Sequence, residues 1–185
     1  CLKPQKSPED FIRVAALVCQ RMPAAKCVLV GDGALRPKIE AMIQAHGLQD
    51  RVTLLGWRRD VASLLKALDV FVLTSQWEGL PCAILEARAS RIPIVATRVG
   101  GSAEAIIEGI QGTLCPAGDV RAIASRVCQI LGDERLRADL RNGTQELPEE
   151  FTIQETVKQY QSLYTYLLHA TRPAQDMMKL QPNRL

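Results

Sequence analysis

Apolar residues in this chain follow two rhythms that alternate along its length. Short apolar runs recur at residues 26–30, 51–55, 70–73, 93–97 and 112–115, each the length of a strand. Those at 26–30, 70–73 and 93–97 read as buried strands. Between the runs, apolar residues recur at helical spacing. Phe11, Val14, Ala15, Leu17 and Val18 mark a first helix, with Ser7 as N-cap, Pro8 at its first position and Pro23 beyond its end. Further helices are predicted over 34–46, 61–67, 119–131, 134–141 and 152 to about 169, with Asp60 capping the one at 61. On the last of these, Ile153, Val157, Tyr160 and Leu163 or Tyr164 form one stripe, read as a packing face. From Arg172 onward the periodicity is lost, so residues 171–185 read as a loosely ordered tail. Cys1-Leu2 reads as the end of a strand whose beginning is missing.

Strands alternating with helices predict an α/β fold, a doubly wound parallel sheet with helices on both faces, over residues 1–170. The turns then fall where strands end: Lys6, Gly31-Asp32-Gly33, Gly56-Trp57-Arg58, Glu78-Gly79 and Gly100-Gly101. In such a sheet those ends share one edge, and that edge is a binding crevice. Ser102 reads as the N-cap of the helix after the last of these turns, which contains Glu104.

Residues 74–87 are the densest in chemistry. The strand at 70–73 turns at Glu78-Gly79 and enters a helix with Pro81 at its first position, where a missing amide hydrogen costs nothing. The unpaired amides of Cys82 and Ala83 then make an anion site beside the positive end of the helix dipole. Glu78 lies in the turn and Glu86 in the second helical turn, its side chain leaning back toward the N-terminus. An ionised carboxylate only accepts hydrogen bonds, so the pair suits a ligand with hydroxyls beside its phosphates. A nucleotide sugar has that shape. Taken singly, most glutamates are simply solvated.

Composition narrows the classes. The 185 residues suffice for one domain with a real core, at 47% hydrophobic and 23% charged. A net charge of +3 is too small to argue for nucleic acid, and 4% aromatics leave few stacking platforms for single strands. No stretch reaches a membrane span, and no signal-peptide pattern opens the chain. The six cysteines form no C-x-x-C pair and no zinc spacing, so reduced thiols in a cytoplasmic protein are expected.

Glu78 and Glu86 enclose seven residues, within Glu-Gly-Leu-Pro and Leu-Glu-Ala. This resembles the E-x7-E signature of the GT-B-fold, family 4 retaining glycosyltransferases (glycosyl transferases group 1), and in particular their C-terminal, donor-binding, Rossmann-like domain. The resemblance runs from about Leu2 to about Leu168. Gly31-Asp32-Gly33 matches the family's G-D-G segment, and Gly100-Gly101 with Glu104 its G-G-x-x-E segment. It implies transfer of a sugar from a nucleotide-diphospho-sugar, with retained configuration, to a sugar, lipid-linked or glycan acceptor held by an N-terminal domain absent here. Lys6 and Glu78 are then the catalytic candidates, Lys6 on the diphosphate and Glu78 on the transferred sugar. Donor-binding candidates are Gly31, Gly33, Trp57, Arg58, Glu78, Gly79, Leu80, Pro81, Glu86, Gly100 and Gly101, with Glu86 on the ribose. Trp57 either stacks on the base or packs between helix and sheet, with nothing in the sequence to choose. The family's usual arginine, five positions before the lysine, is Cys1 here, so half of the phosphate clamp is missing.

The resemblance calls for no cofactor and no metal, and no D-x-D-like ligand cluster stands at a strand end. It leaves room for a peripheral membrane contact of a full-length protein. The isolated domain is expected to be inactive. A nucleotide-sugar-binding module without turnover and a GT-B nucleotide-sugar epimerase remain as alternatives.

Overall fold

The computed structural model describes residues 1–143 and 149–169, and the predicted tail lies outside them. The chain divides into two compact units, Cys1–Glu146 and Leu147–Leu185.

In the first unit a short 3-10 turn, Pro4–Lys6, leads into a regular alternation. Helix α1 (Pro8–Arg21) precedes strand β1 (Cys27–Val30), then α2 (Arg36–Ala45), β2 (Val52–Gly56) and α3 (Val61–Lys66). Strand β3 (Phe71–Leu73), α4 (Cys82–Ala89), β4 (Ile94–Thr97), α5 (Ser102–Ala105) and β5 (Gly112–Cys115) follow. Helices α6 (Val120–Gly132) and α7 (Glu134–Gly143) close the unit. All strand pairs are parallel, as the alternation predicts, in the orders β1-β2 and β3-β4-β5. The predicted elements are present, with ends differing by one or two residues in most cases.

Strand β4 explains why helices cover both faces. Val95 packs with Val14, Val18, Ile123 and Val127, from α1 and α6. Its neighbours Ile94 and Ala96 point the other way, onto Leu65, Ile84 and Ala87 of α3 and α4. Each fully buried isoleucine here contributes roughly 1.5–3 kcal/mol. Helix α1 serves two clusters, because Ile12 and Ala15 turn instead toward Ile39 and Ile43 of α2 and Val52 of β2.

One expectation is corrected. Strands β1 and β3, read as buried, are only half-buried, while every residue of β4 is buried. β4 is covered by a strand on either side, whereas β1 and β3 each have one edge without a ladder partner among the described residues. Residues 2–7 link the C-terminal ends of those two strands without forming a strand. Leu2 donates its amide to Asp32 O at 2.9 Å, and Gln76 donates its amide to Gln5 O at 2.8 Å. Thr74 Oγ1 donates to the carbonyls of Lys6 and Ser7.

The second unit contains a 3-10 turn, Glu149–Phe151, and helix α8 (Ile153–His169). Thr152 caps α8, its Oγ1 accepting from the Glu155 amide at 3.2 Å. Ile153, Val157, Tyr160, Leu163 and Tyr164 are exposed, so the stripe read as a packing face is not buried among the described residues.

Candidate functional site

The turn between β3 and α4 is held from two directions. From the 3-10 turn, Lys6 Nζ donates to Glu78 Oε1 at 2.5 Å, and Gln5 Nε2 donates to the carbonyl of Trp77 at 3.1 Å. From the loop after β4, the Gly101 amide donates to Gly79 O at 2.7 Å. Ser75 Oγ adds a second donor to Glu78 Oε1, at 2.6 Å. The Glu78 side chain is 5% exposed and that of Lys6 26%, so this ion pair sits at the wall of the fold.

The two glycines of the β4 loop owe their identity to that packing. Gly100 has φ +46°, and a Cβ there would lie 1.8 Å from Glu78 O. A Cβ on Gly101 would lie 2.5 Å from Gly79 O. The sequence suggests backbone brought close to a ligand. The structure shows backbone brought close to the Glu78-Gly79 turn. Gly31 and Gly33 behave alike, with Cβ positions 2.9 Å from Cys1 N and 2.5 Å from Leu2 O.

Several local expectations need correction. Pro81 is the N-cap of α4 and not its first residue, with an extended backbone (φ −76°, ψ 101°). Cys82 and Ala83 thus open the helix, and their amides still precede any carbonyl four residues back within it. Ser7 occupies the N-cap of α1, but its hydroxyl donates to Asp10 Oδ2 at 2.7 Å instead of accepting from an amide. Ser102 is the first residue of α5, behind Gly101 as N-cap, and its buried hydroxyl has no hydrogen-bond partner among the described residues. Asp60 precedes α3 without capping it, because both of its oxygens accept from Arg58, at 2.8 and 2.6 Å. That pairing holds the Asp60 carboxyl below the usual carboxylate range and commits Arg58. Lys6 lies in a 3-10 turn, where a strand end was expected.

Trp57 is 72% exposed, which removes the reading that packs it between helix and sheet. Glu86 is exposed, and its carboxylate has no hydrogen bond or ion pair to a described residue. Asp32 is a turn residue: it accepts from the Gly33 amide at 2.8 Å and pairs with Arg36. The Gly33 amide first, then Arg36, keep its carboxyl below the ordinary range.

The candidates therefore form two groups at the C-terminal ends of the strands. Gly31 joins Gly56 through a hydrogen bond of 2.8 Å, with Trp57 and Arg58 following directly. Glu78, Gly79, Leu80, Gly100 and Gly101 lie together at the ends of β3 and β4. Lys6 belongs to the second group through Glu78, and residues 2–6 connect the two. The sequence reading missed Ser75, Thr97 and Asp10. Asp10 is buried and accepts from Ser7, Arg13 and Gln76, tying the start of α1 to the turn after β3. Small hydroxyls at strand ends carry no distinctive sequence signal.

A cavity of about 700 Å³ lies elsewhere, over α1, lined by Arg13, Leu17, His46, Leu48, Arg51 and Arg121 among others. It shares no residue with the predicted site, where the converging turns bring charge, amides and carboxylates together. Among the described residues no His, Cys, Asp and Glu cluster could hold a metal ion. No described helix is long and apolar enough to cross a membrane. The cysteines are free thiols, and burial, with Cys19 beside it, pushes the Cys27 thiol up to about 12.

Comparison with known proteins gives concordant matches. The sequence profile of the family described as glycosyl transferases group 1 matches residues 1–147. The UDP-Gal:alpha-D-GlcNAc-diphosphoundecaprenol alpha-1,3-galactosyltransferase of Escherichia coli is 32% identical over 166 residues, 88% of this chain and 43% of that protein. The N-acetyl-alpha-D-glucosaminyl L-malate synthase of Bacillus anthracis is 34% identical over 160 residues, covering 86% and 42%. The crystal structure of Anabaena HepE in complex with UDP superposes with a TM-score of 0.81 at 26% identity, over 89% of this chain and 46% of that one. The chain spans less than half the length of these three proteins.

Proposed function

The chain belongs to the glycosyl transferases of group 1, and we propose that it is the donor-binding part of a retaining glycosyltransferase. The observation that carries this reading is the convergence of Lys6, Glu78 and the start of α4 at one sheet edge, with Lys6 Nζ 2.5 Å from Glu78 Oε1. A cation and two helix-start amides suit a diphosphate, and the carboxylates of Glu78 and Glu86 suit the hydroxyls on either side of it.

In this reading Lys6 and the amides of Cys82 and Ala83 stabilise the charge that develops on the departing diphosphate, usually the largest contribution to such a barrier. Glu78 positions the transferred sugar. Glu86, exposed and unpaired among the described residues, accepts from the ribose hydroxyls. Trp57 offers its exposed ring to the base, while Arg58 stays with Asp60. Gly31, Gly33, Leu80 and Pro81 shape the walls. Cys1 stands where the family carries arginine, so in this reading Lys6 supplies the side-chain cation of the clamp. Uridine is the base we assign, because the Escherichia coli relative is named for UDP-Gal and HepE was crystallised with UDP.

The acceptor, a sugar, a lipid-linked sugar or a glycan, is held by another domain in this account. Retaining transfer needs an acceptor oxygen fixed near the anomeric carbon, and that positioning supplies much of the rate. Every candidate group here lies along one edge of one unit, so the chain alone binds donor and transfers no sugar.

Glu86 gives the test. Glu86→Ala removes a charged acceptor and should weaken UDP binding about ten- to a hundredfold, the span of a hydrogen bond to a charged group. Being exposed, it should leave thermal stability unchanged. Calorimetry with UDP, GDP and ADP would read both the preferred base and this loss. Unchanged UDP affinity in the folded variant would remove the ribose role.

A further inference from the structure

We propose that Ser75 is a positioning residue of the donor site, whose hydroxyl keeps the Glu78 carboxylate in place when Lys6 turns to the diphosphate. This rests on the roles given to Lys6 and Glu78 above. Ser75 follows the end of β3 and is fully buried. Its Oγ donates to Glu78 Oε1 at 2.6 Å, the oxygen that also accepts from Lys6 at 2.5 Å. A carboxylate can only accept, so the single hydroxyl proton of Ser75 is committed to this bond. Glu78 Oε2 accepts from no described residue, and it is the oxygen left for a ligand hydroxyl.

Ser75 is anchored in turn. Thr97, the last residue of β4 and also fully buried, donates its Oγ1 to the carbonyl of Ser75 at 2.6 Å. Two buried hydroxyls therefore carry the position of the central strand to a carboxylate at the wall of the site. Lys6 cannot do this alone. Its ammonium is the group assigned to the phosphates, and a diphosphate bound there competes with Glu78 for the same charge. Once that exchange begins, Ser75 is the neutral donor that holds Oε1 and leaves Oε2 aimed at the sugar. A buried hydroxyl is suited to the task because, being neutral, it is drawn to a phosphate less strongly than a second cation would be.

The role predicts a split between two ligands. Calorimetry would compare UDP with whichever of UDP-glucose, UDP-galactose and UDP-N-acetylglucosamine the unaltered chain binds most tightly. Ser75→Ala should weaken the nucleotide sugar about tenfold and UDP by less than about threefold. In a Glu78→Ala background the same change should alter neither, since residues acting through one another are non-additive. Equal losses for both ligands, or a loss that persists without Glu78, would make Ser75 merely structural and overturn the proposal. Should Ser75→Ala not fold, Thr97→Val, nearly the same shape without the hydroxyl, should give the same split at about threefold, and equal losses would again overturn it. If Glu78→Ala weakens the nucleotide sugar while Ser75→Ala does not, only the Ser75 assignment falls. If Glu78→Ala changes nothing, or no UDP-sugar binds the unaltered chain, the donor reading itself fails.

Discussion

Lys6→Ala is expected to weaken UDP binding by at least about tenfold while leaving uridine binding within about twofold. The proposed contact is with phosphate charge, and a charge-assisted hydrogen bond is worth roughly 1.5–3 kcal/mol, where each 1.4 kcal/mol is tenfold. No arginine at position 1 shares the load. The same substitution removes a partner of Glu78, whose side chain is only 5% exposed. Breaking a fully buried pair costs roughly 3–5 kcal/mol, because a charge is left without compensation. The cost here is smaller, about 2 kcal/mol, since Lys6 is 26% exposed and Ser75 still donates to the carboxylate. Thermal melts and calorimetry separate the two effects. Raising salt should narrow the gap between UDP and uridine in the unaltered protein, because the site is partly open to solvent. Equal losses for nucleoside and diphosphate would make Lys6 a structural residue.

Gly100→Ala should be the most damaging small substitution near the site. At φ +46° an alanine costs roughly 1–2 kcal/mol before any contact is considered. Its Cβ would then stand 1.8 Å from Glu78 O and 2.8 Å from the carbonyl carbon, both main-chain atoms that cannot rotate away. The two loops must part, and the 2.7 Å bond from the Gly101 amide to Gly79 O is lost with them. We expect at least about 3 kcal/mol of lost stability together with loss of UDP binding. Gly118→Ala is the control. It has φ +77° with nothing within 4 Å of an added Cβ, so it should show only the backbone cost of roughly 1–2 kcal/mol and bind UDP normally. If the two variants behaved alike, the packing of one loop on the other would not matter to the site.

Much of this is legible in the sequence alone. The parallel α/β order followed from runs such as 93–97 alternating with the rhythm of Phe11, Val14 and Val18, because burial periodicity is local information. The strand-end edge followed too, since Glu78-Gly79 and Gly100-Gly101 each close a strand. What these turns do to one another was not legible. Gly100 could have faced a ligand or another loop, and only the 1.8 Å approach to Glu78 O shows which. The pairing of Lys6 with Glu78 was equally hidden, because 72 residues separate them and each is an ordinary charge in its own segment. Asp60 misled for a related reason. Asp60 has the right residue type and place for a cap, but an arginine two positions earlier is a stronger partner for its oxygens than the amides of α3.

Where a nucleotide meets this chain decides between the strand-end site and its rival. Two surfaces compete: the strand-end edge at Lys6, Glu78 and Gly101, and the cavity over α1 with Arg13, Arg51 and Arg121. Titration of the ¹⁵N-labelled chain with UDP, followed amide by amide, separates them directly. The expected result is saturable shifts concentrated at Gly79, Cys82, Ala83 and Gly101, with the Trp57 indole moving as the base arrives. Shifts confined to Leu17, Leu48 and Arg121, or none at millimolar UDP, would contradict the assignment of the donor site.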